Sequence, residues 1–196
     1  MTIITDGIGR GNSAKVDSDN RLAVDAGTRS AGAIRSLIGD AYSVNSSLGT
    51  TAVDTLPVST TFGYMVYISN TSSTKSIIID KVTVTSDSVD LQYKSYLNIT
   101  VGTIAVASSF APTNLNTSSA KAASVDVHVW NSGSGTGMTG FSSGSVVTSQ
   151  RLTTGTTVLD DDDTIIIGPS GSFTISMQNK GTGVCNTGIG VRFYEV

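Results

Sequence analysis

Asp160, Asp161, Asp162 and Asp163 stand in an unbroken run, the sharpest local chemistry in this sequence. Carboxylate oxygens held close together are hard ligands, suited to Ca2+ at a strand end or on a symmetry axis. The spacing is not that of an EF-hand, which alternates its acidic positions and closes on a Gly and a Glu. The plainer reading is a solvated turn between strands at 156–159 and 164–167. That turn is the expectation, with no metal and no cofactor.

The remaining reactive inventory is small. The 196 residues hold one His (His128), one Cys (Cys185) and one Glu (Glu195). A Ser-His-Asp triad would have to be built on His128, and no Gly-x-Ser-x-Gly elbow stands between a strand and a helix. His128 alternates with Val127 and Val129, which sets it on the polar face of a strand. Cys185 has no His near it in sequence and reads as a buried free thiol. Gly168-Pro-Ser-Gly-Ser lacks the Lys of a phosphate loop and reads as a tight hairpin. Asn45, Asn70, Asn98 and Asn116 each begin an Asn-x-Ser/Thr triplet, which chance explains in a chain this rich in Ser and Thr. Trp130 with Tyr64, Tyr67, Tyr93, Tyr96 and Tyr194 would suit a carbohydrate site, although cores and interfaces use such rings more often. The expectation is a protein without catalytic residues.

The elements that carry these residues are strands. The chain has 21 Gly, 29 Ser and 27 Thr; helix formers of the Glu, Lys, Gln and Arg kind are scarce, while Thr, Val, Ile and Tyr are plentiful. That balance suits pleated strands joined by polar turns. Apolar residues recur with period 2: Tyr64, Val66 and Ile68; Val125, Val127 and Val129; Phe173, Ile175 and Met177; Ile189, Val191 and Phe193. Leu97, Ile99 and Val101 continue the pattern, and residues 75–85 make one long strand or two short ones. Period 2 with Gly, Ser, Asn and Asp clusters between marks half-buried antiparallel strands. Residues 108–121 read as irregular loop. Residues 131–144 read as a Gly-rich loop anchored only by Met138 and Phe141, and such long loops are functional or mobile. A single helical turn fits 30–37. The expected fold is an all-β, antiparallel β-sandwich over 38–196.

Residues 1–37 differ. Arg10, Lys15, Arg21, Arg29 and Arg35 are five of the twelve basic residues, and the next is Lys75. Apolar residues there are too sparse to build a core, so the segment reads as an extended N-terminal arm ordered on a partner. A short hairpin of 14–16 with 21–24 around a turn at 17–20 is the one local structure expected. The net charge of −3 speaks against a nucleic-acid partner. No apolar run approaches the roughly 18 residues of a membrane helix. No basic, then apolar, leader opens the sequence, so no secretion signal is expected.

Residues 6–24, Asp-Gly-Ile-Gly-Arg-Gly-Asn-Ser-Ala-Lys-Val-Asp-Ser-Asp-Asn-Arg-Leu-Ala-Val, resemble the openings of small structural proteins of tailed bacteriophages. The segments Asp-Ala-Tyr-Ser-Val-Asn from Asp40, Pro-Thr-Asn-Leu-Asn from Pro112, and Ile-Ile-Ile-Gly-Pro-Ser-Gly-Ser-Phe-Thr-Ile from Ile165 are similar to others in the same proteins. The resemblance is strongest over 6–45. It implies a head decoration (cement) protein with a jelly-roll-like sandwich, present as a homotrimer on the outer surface of the capsid. The major capsid protein would be its partner, reached through the five basic residues of the arm. A tail, fibre or baseplate component is the alternative, and a cell-surface carbohydrate-binding module the next.

Overall fold

The computed structural model describes residues 3–5, 13–15, 31–46, 54–87, 90–130, 136–152 and 155–196. The chain divides into two compact units, 1–30 and 31–196. In the first, β1 (Ile3–Thr5) pairs antiparallel with β2 (Ser13–Lys15), Ile4 opposite Ala14. The strand expected opposite residues 14–16, at 21–24, lies outside the described residues.

The second unit opens with one helix, α1 (Ala31–Ile38). The strands that follow are β3 (Ala41–Asn45), β4 (Asp54–Leu56), β5 (Gly63–Asn70), β6 (Ile77–Ser86), β7 (Leu91–Leu97), β8 (Thr100–Ala105) and β9 (Ala107–Ser109). The rest are β10 (Thr113–Asn114), β11 (Val125–Trp130), β12 (Thr139–Ser142), β13 (Ser145–Leu152), β14 (Gly155–Ile167), β15 (Ser172–Asn179) and β16 (Cys185–Glu195).

Eight of these strands form a jelly roll. β3 pairs with β16, β5 with β15, β6 with β14 and β7 with β13, all antiparallel. The second half of the chain therefore retraces the first, like a long ribbon folded at its middle. Rolled up, the ribbon gives two sheets in the orders β3-β16-β6-β14 and β5-β15-β7-β13. This is the double-sheet solution for an all-β chain. β10 extends the first sheet beyond β3, while β11 and then β9 extend the second beyond β5. β4 lies beside β16, Leu56 opposite Cys185.

The core fills the space between the sheets. Phe193, Ile79, Val191 and Val84 come from the first sheet and Phe173, Ile175, Val66 and Ile68 from the second, all essentially without exposure. Tyr42 stacks on Phe193 with ring centroids 5.7 Å apart. Each such side chain contributes roughly 1.5–3 kcal/mol by leaving water. Period 2 in the sequence thus becomes one buried face per strand.

The structure departs from expectation where a bulge, a corner or a cap intervenes. The pairing of β15 with β5 shifts between Ile175 and Ser176, leaving Met65 as the extra residue. That shift turns Tyr64 away from the Val66 and Ile68 face and sets it beside Ser176. The alternation through Leu97, Ile99 and Val101 is broken at Asn98, whose φ of 51° turns the chain out of the second sheet. Residues expected as loop contain β9, β10 and β12. The 168–171 turn is present, Gly171 N–H donating to the Gly168 carbonyl at 3.0 Å. It joins strands of different sheets, however, and is a corner and not a hairpin.

The single turn expected at 30–37 is a full eight-residue helix grouped with the second unit, where the arm was expected to continue to 37. Its end is set by Gly39, at φ 78°. Gly39 N–H donates to Ser36 O at 3.2 Å and Asp40 N–H to Arg35 O at 2.9 Å, a complete Schellman stop.

Candidate functional site

Of the five arm residues, Arg35 is the one whose side chain is described. It sits in the last turn of α1, its guanidinium 3.9 Å from Asp40. The other oxygen of Asp40 receives Lys121 Nζ at 2.7 Å. Arg35 is therefore engaged within its own domain. Lys15 ends β2. Arg10, Arg21 and Arg29 lie outside the described residues.

α1 also presents an apolar stripe. Ile34, Leu37 and Ile38, at spacing i, i+3, i+4, are 48%, 60% and 48% exposed. The stripe stands where the jelly-roll unit begins, directly after the 1–30 unit.

The acidic run is not the expected turn. One strand, β14, runs through it. Asp160 pairs with Lys81 and Ile165 with Ile79, so residues 161–164 stand opposite Asp80 alone. The reason lies in β6, which is continuous and paired on both sides, and which therefore templates both halves of β14 along one line. The side chains of Asp160, Asp161, Asp162 and Asp163 fall outside those described. Among the described residues, no group of three or more His, Cys, Asp or Glu is placed to hold a metal ion.

His128 and Cys185 are brought to different sheets, on β11 and β16. His128 Nε2 lies 3.0 Å from the Asp126 carboxylate, and its ring rests against Tyr67. Cys185 is buried, which together with the charge of Asp87 pushes its thiol pKa up to about 11. A thiol so protected is held in its unreactive neutral form.

The aromatic residues split into two sets. Tyr93, Trp130 and Tyr194 are buried, as is Tyr67 of the second set. Tyr64, Tyr67 and Tyr96 gather on the outer face of the second sheet. The Tyr64 ring lies 6.0 Å from Tyr96 and 4.9 Å from Phe141, and Tyr67 lies 5.3 Å from Phe141. Burial, reinforced by neighbouring Tyr96, raises the pKa of Tyr64. Lys94 Nζ stands 4.3 Å above the Phe62 ring.

The Asn residues of the triplets are structural anchors. Asn70 is buried, donating to the carbonyls of Lys75, Ile167 and Gly168 and accepting from Ser72 N–H. Asn98 accepts from Ser172 N–H. Asn116 donates to Leu37 O, tying the 110–123 segment to the end of α1.

One polar cluster escaped sequence reasoning. Glu195, only 2% exposed, takes Lys75 Nζ at 2.7 Å on one oxygen and the Ser124 N–H on the other. It joins the last strand of one sheet to the start of β11 in the other. The available signal was its uniqueness as the single Glu.

The arrangement defines a jelly-roll β-sandwich with an N-terminal unit. No family model matches the chain, and neither a curated protein nor a solved structure is significantly similar to it. Among the described residues no helix is long and apolar enough to cross a membrane.

Proposed function

We propose that this chain is a virion structural protein, a decoration (cement) protein on the outer surface of a tailed-phage head. It bridges neighbouring subunits of the major capsid protein, acts as a homotrimer, and carries out no catalysis. The observation that carries this reading is the two-unit organisation, a jelly-roll domain behind an N-terminal unit whose sequence resembles the attachment arms of such proteins. An arm of this kind follows a long path on a shell and adds strand-like backbone pairing to a host edge. Mass action does the rest, because whatever binds only the assembled lattice stabilises it. The exposed apolar stripe of α1 offers the shell a desolvating contact.

The deciding measurement is the copy number of this chain per purified particle, by quantitative mass spectrometry against the major capsid protein. Hundreds of copies in a simple ratio to that protein are expected. A few to a few dozen copies would move the chain to the tail or fibre, and its absence from particles would end the virion reading.

A further inference from the structure

The ribbon of β7 and β13 does not end at the edge of its sheet. Leu97 pairs with Ser145 as the last residues in the sheet, and Thr100 pairs with Ser142 as the first beyond it. Between them both strands turn, at Asn98 (φ 51°) and Ser143 (φ 44°), and Thr100 N–H donates to Ser143 O at 3.1 Å across the corner. The continuation, β8 paired with β12, contacts the opposite side of the same sheet. There Met138, 2% exposed, donates its N–H to Tyr64 O at 2.7 Å, and Val106 leads into β9 beside β11. β15 lies between these two attachments in strand order. The ribbon is a strap across the outer face of the sheet.

Three features set the strap apart from the sheet beneath it. Its strands are thinly anchored: between buried Ile99 and Met138 at its ends, β8 and β12 offer only the half-buried Val101, Ile104 and Phe141, whereas every residue of β15 is buried. Its far end is strained, because Val106 is a β-branched residue held at φ 59°, a conformation such residues avoid. Beneath it, the Thr174 and Ser176 hydroxyls are buried with no hydrogen-bond partner among the described residues. Opening relieves the Val106 backbone and frees Tyr64 and Tyr67, which help roof the two hydroxyls, from Phe141; closing regains the Phe141 contacts with both rings. Those opposing terms make a two-state element.

We infer that the β8–β12 strap opens and closes as one cooperative unit, independently of the jelly roll, over the tyrosine-covered outer face of β15. Hydrogen exchange of the full chain, followed by mass spectrometry, tests this. Amides of β8 and β12 are expected to share one protection level, well below that of β5 and β15, with little dependence on low denaturant. Phe141→Ala is expected to speed strap exchange by on the order of tenfold or more while β15 stays unchanged. Strap amides that exchange only with global unfolding, β8 and β12 levels that differ from each other, or a Phe141→Ala effect spread equally to β15 would each overturn the inference.

Discussion

The rings of Tyr64 and Tyr96 meet 6.0 Å apart although their strands are not neighbours. β15 runs between β5 and β7, with Ser176 opposite Tyr64 and Thr174 opposite Tyr96. The two tyrosines thus close over the polar side of β15. This explains how a strand with Ser172, Thr174, Ser176 and Gln178 on its outer face is buried along its whole length. Polar groups under such a roof are stabilising only when hydrogen-bonded.

From this arrangement comes the first prediction. Thr174→Val replaces a buried hydroxyl, unpartnered among the described residues, by a methyl group of the same shape. The change removes a desolvation penalty and is expected to stabilise the fold by about 1 kcal/mol. Ser176→Ala should act in the same direction by a smaller amount. Urea denaturation of the variants checks both, and a loss of stability would show that the hydroxyl has a partner.

Glu195 supports a second prediction. Lys75→Met leaves a nearly fully buried carboxylate with the Ser124 N–H as its remaining described partner, and should cost about 3 kcal/mol. Glu195→Gln keeps the acceptor and loses only an ion pair whose lysine is half exposed, so about 1 kcal/mol is expected. The hydrogen bond from Lys75 to Glu195, then the charge of Glu195, raises the Lys75 pKa. Because the folded value lies above the unfolded one, this stabilisation is complete below pH about 10 and disappears as pH rises through the folded pKa. Melting curves of wild type and Lys75→Met should therefore converge toward strongly alkaline pH. Curves that stay parallel would remove Glu195 as the cause.

Cys185 gives a third. Its folded pKa of about 11 stands above the ordinary thiol value near 8.5, so the unfolded chain ionises first. Between those values the unfolded state has released a proton that the folded state keeps, and stability falls as pH rises. A loss on the order of 2 kcal/mol across that interval is expected from this group. Cys185→Ala should lack that part of the decline. At pH 8 the native thiol should react slowly with Ellman's reagent and the urea-unfolded chain rapidly. Fast reaction of the folded protein would contradict the burial.

Those same residues show what the sequence exposes and what it hides. Alternation announced β11, β15 and β16, because one inward face per strand leaves period 2 in any sandwich. The strap's anchors were visible too, since Met138 and Phe141 are the only large apolar residues in a Gly-rich stretch. What stayed hidden depends on contacts far apart in sequence. The flip of Tyr64 comes from a bulge at Met65 that only its pairing with β15 creates. The passage of β14 through four aspartates comes from the template of β6, against a local preference for turn. The Glu195 clamp joins positions 71 and 120 residues apart, beyond any spacing rule. The helix spans only eight residues, too few for a 3.6-residue period to stand out in the sequence, although Gly39 marks its stop.

The α1 stripe and the arm carry the last prediction, which concerns the proposed attachment. Among the described residues the buried core lies wholly within 31–196, so after removal of residues 1–30 the jelly roll should melt within a few degrees of the full chain. Binding to particles lacking this protein should nevertheless be abolished. Leu37→Asp and Ile34→Ser change side chains that are 60% and 48% exposed, so each should alter domain stability by less than about 0.5 kcal/mol. If the stripe meets the shell, each should weaken particle binding by tenfold or more, since about 1.4 kcal/mol corresponds to that factor. Co-sedimentation with particles separates the outcomes. Loss of binding with an unchanged melt supports attachment through α1 and the arm. Full binding by the truncated chain would place attachment on the jelly roll itself.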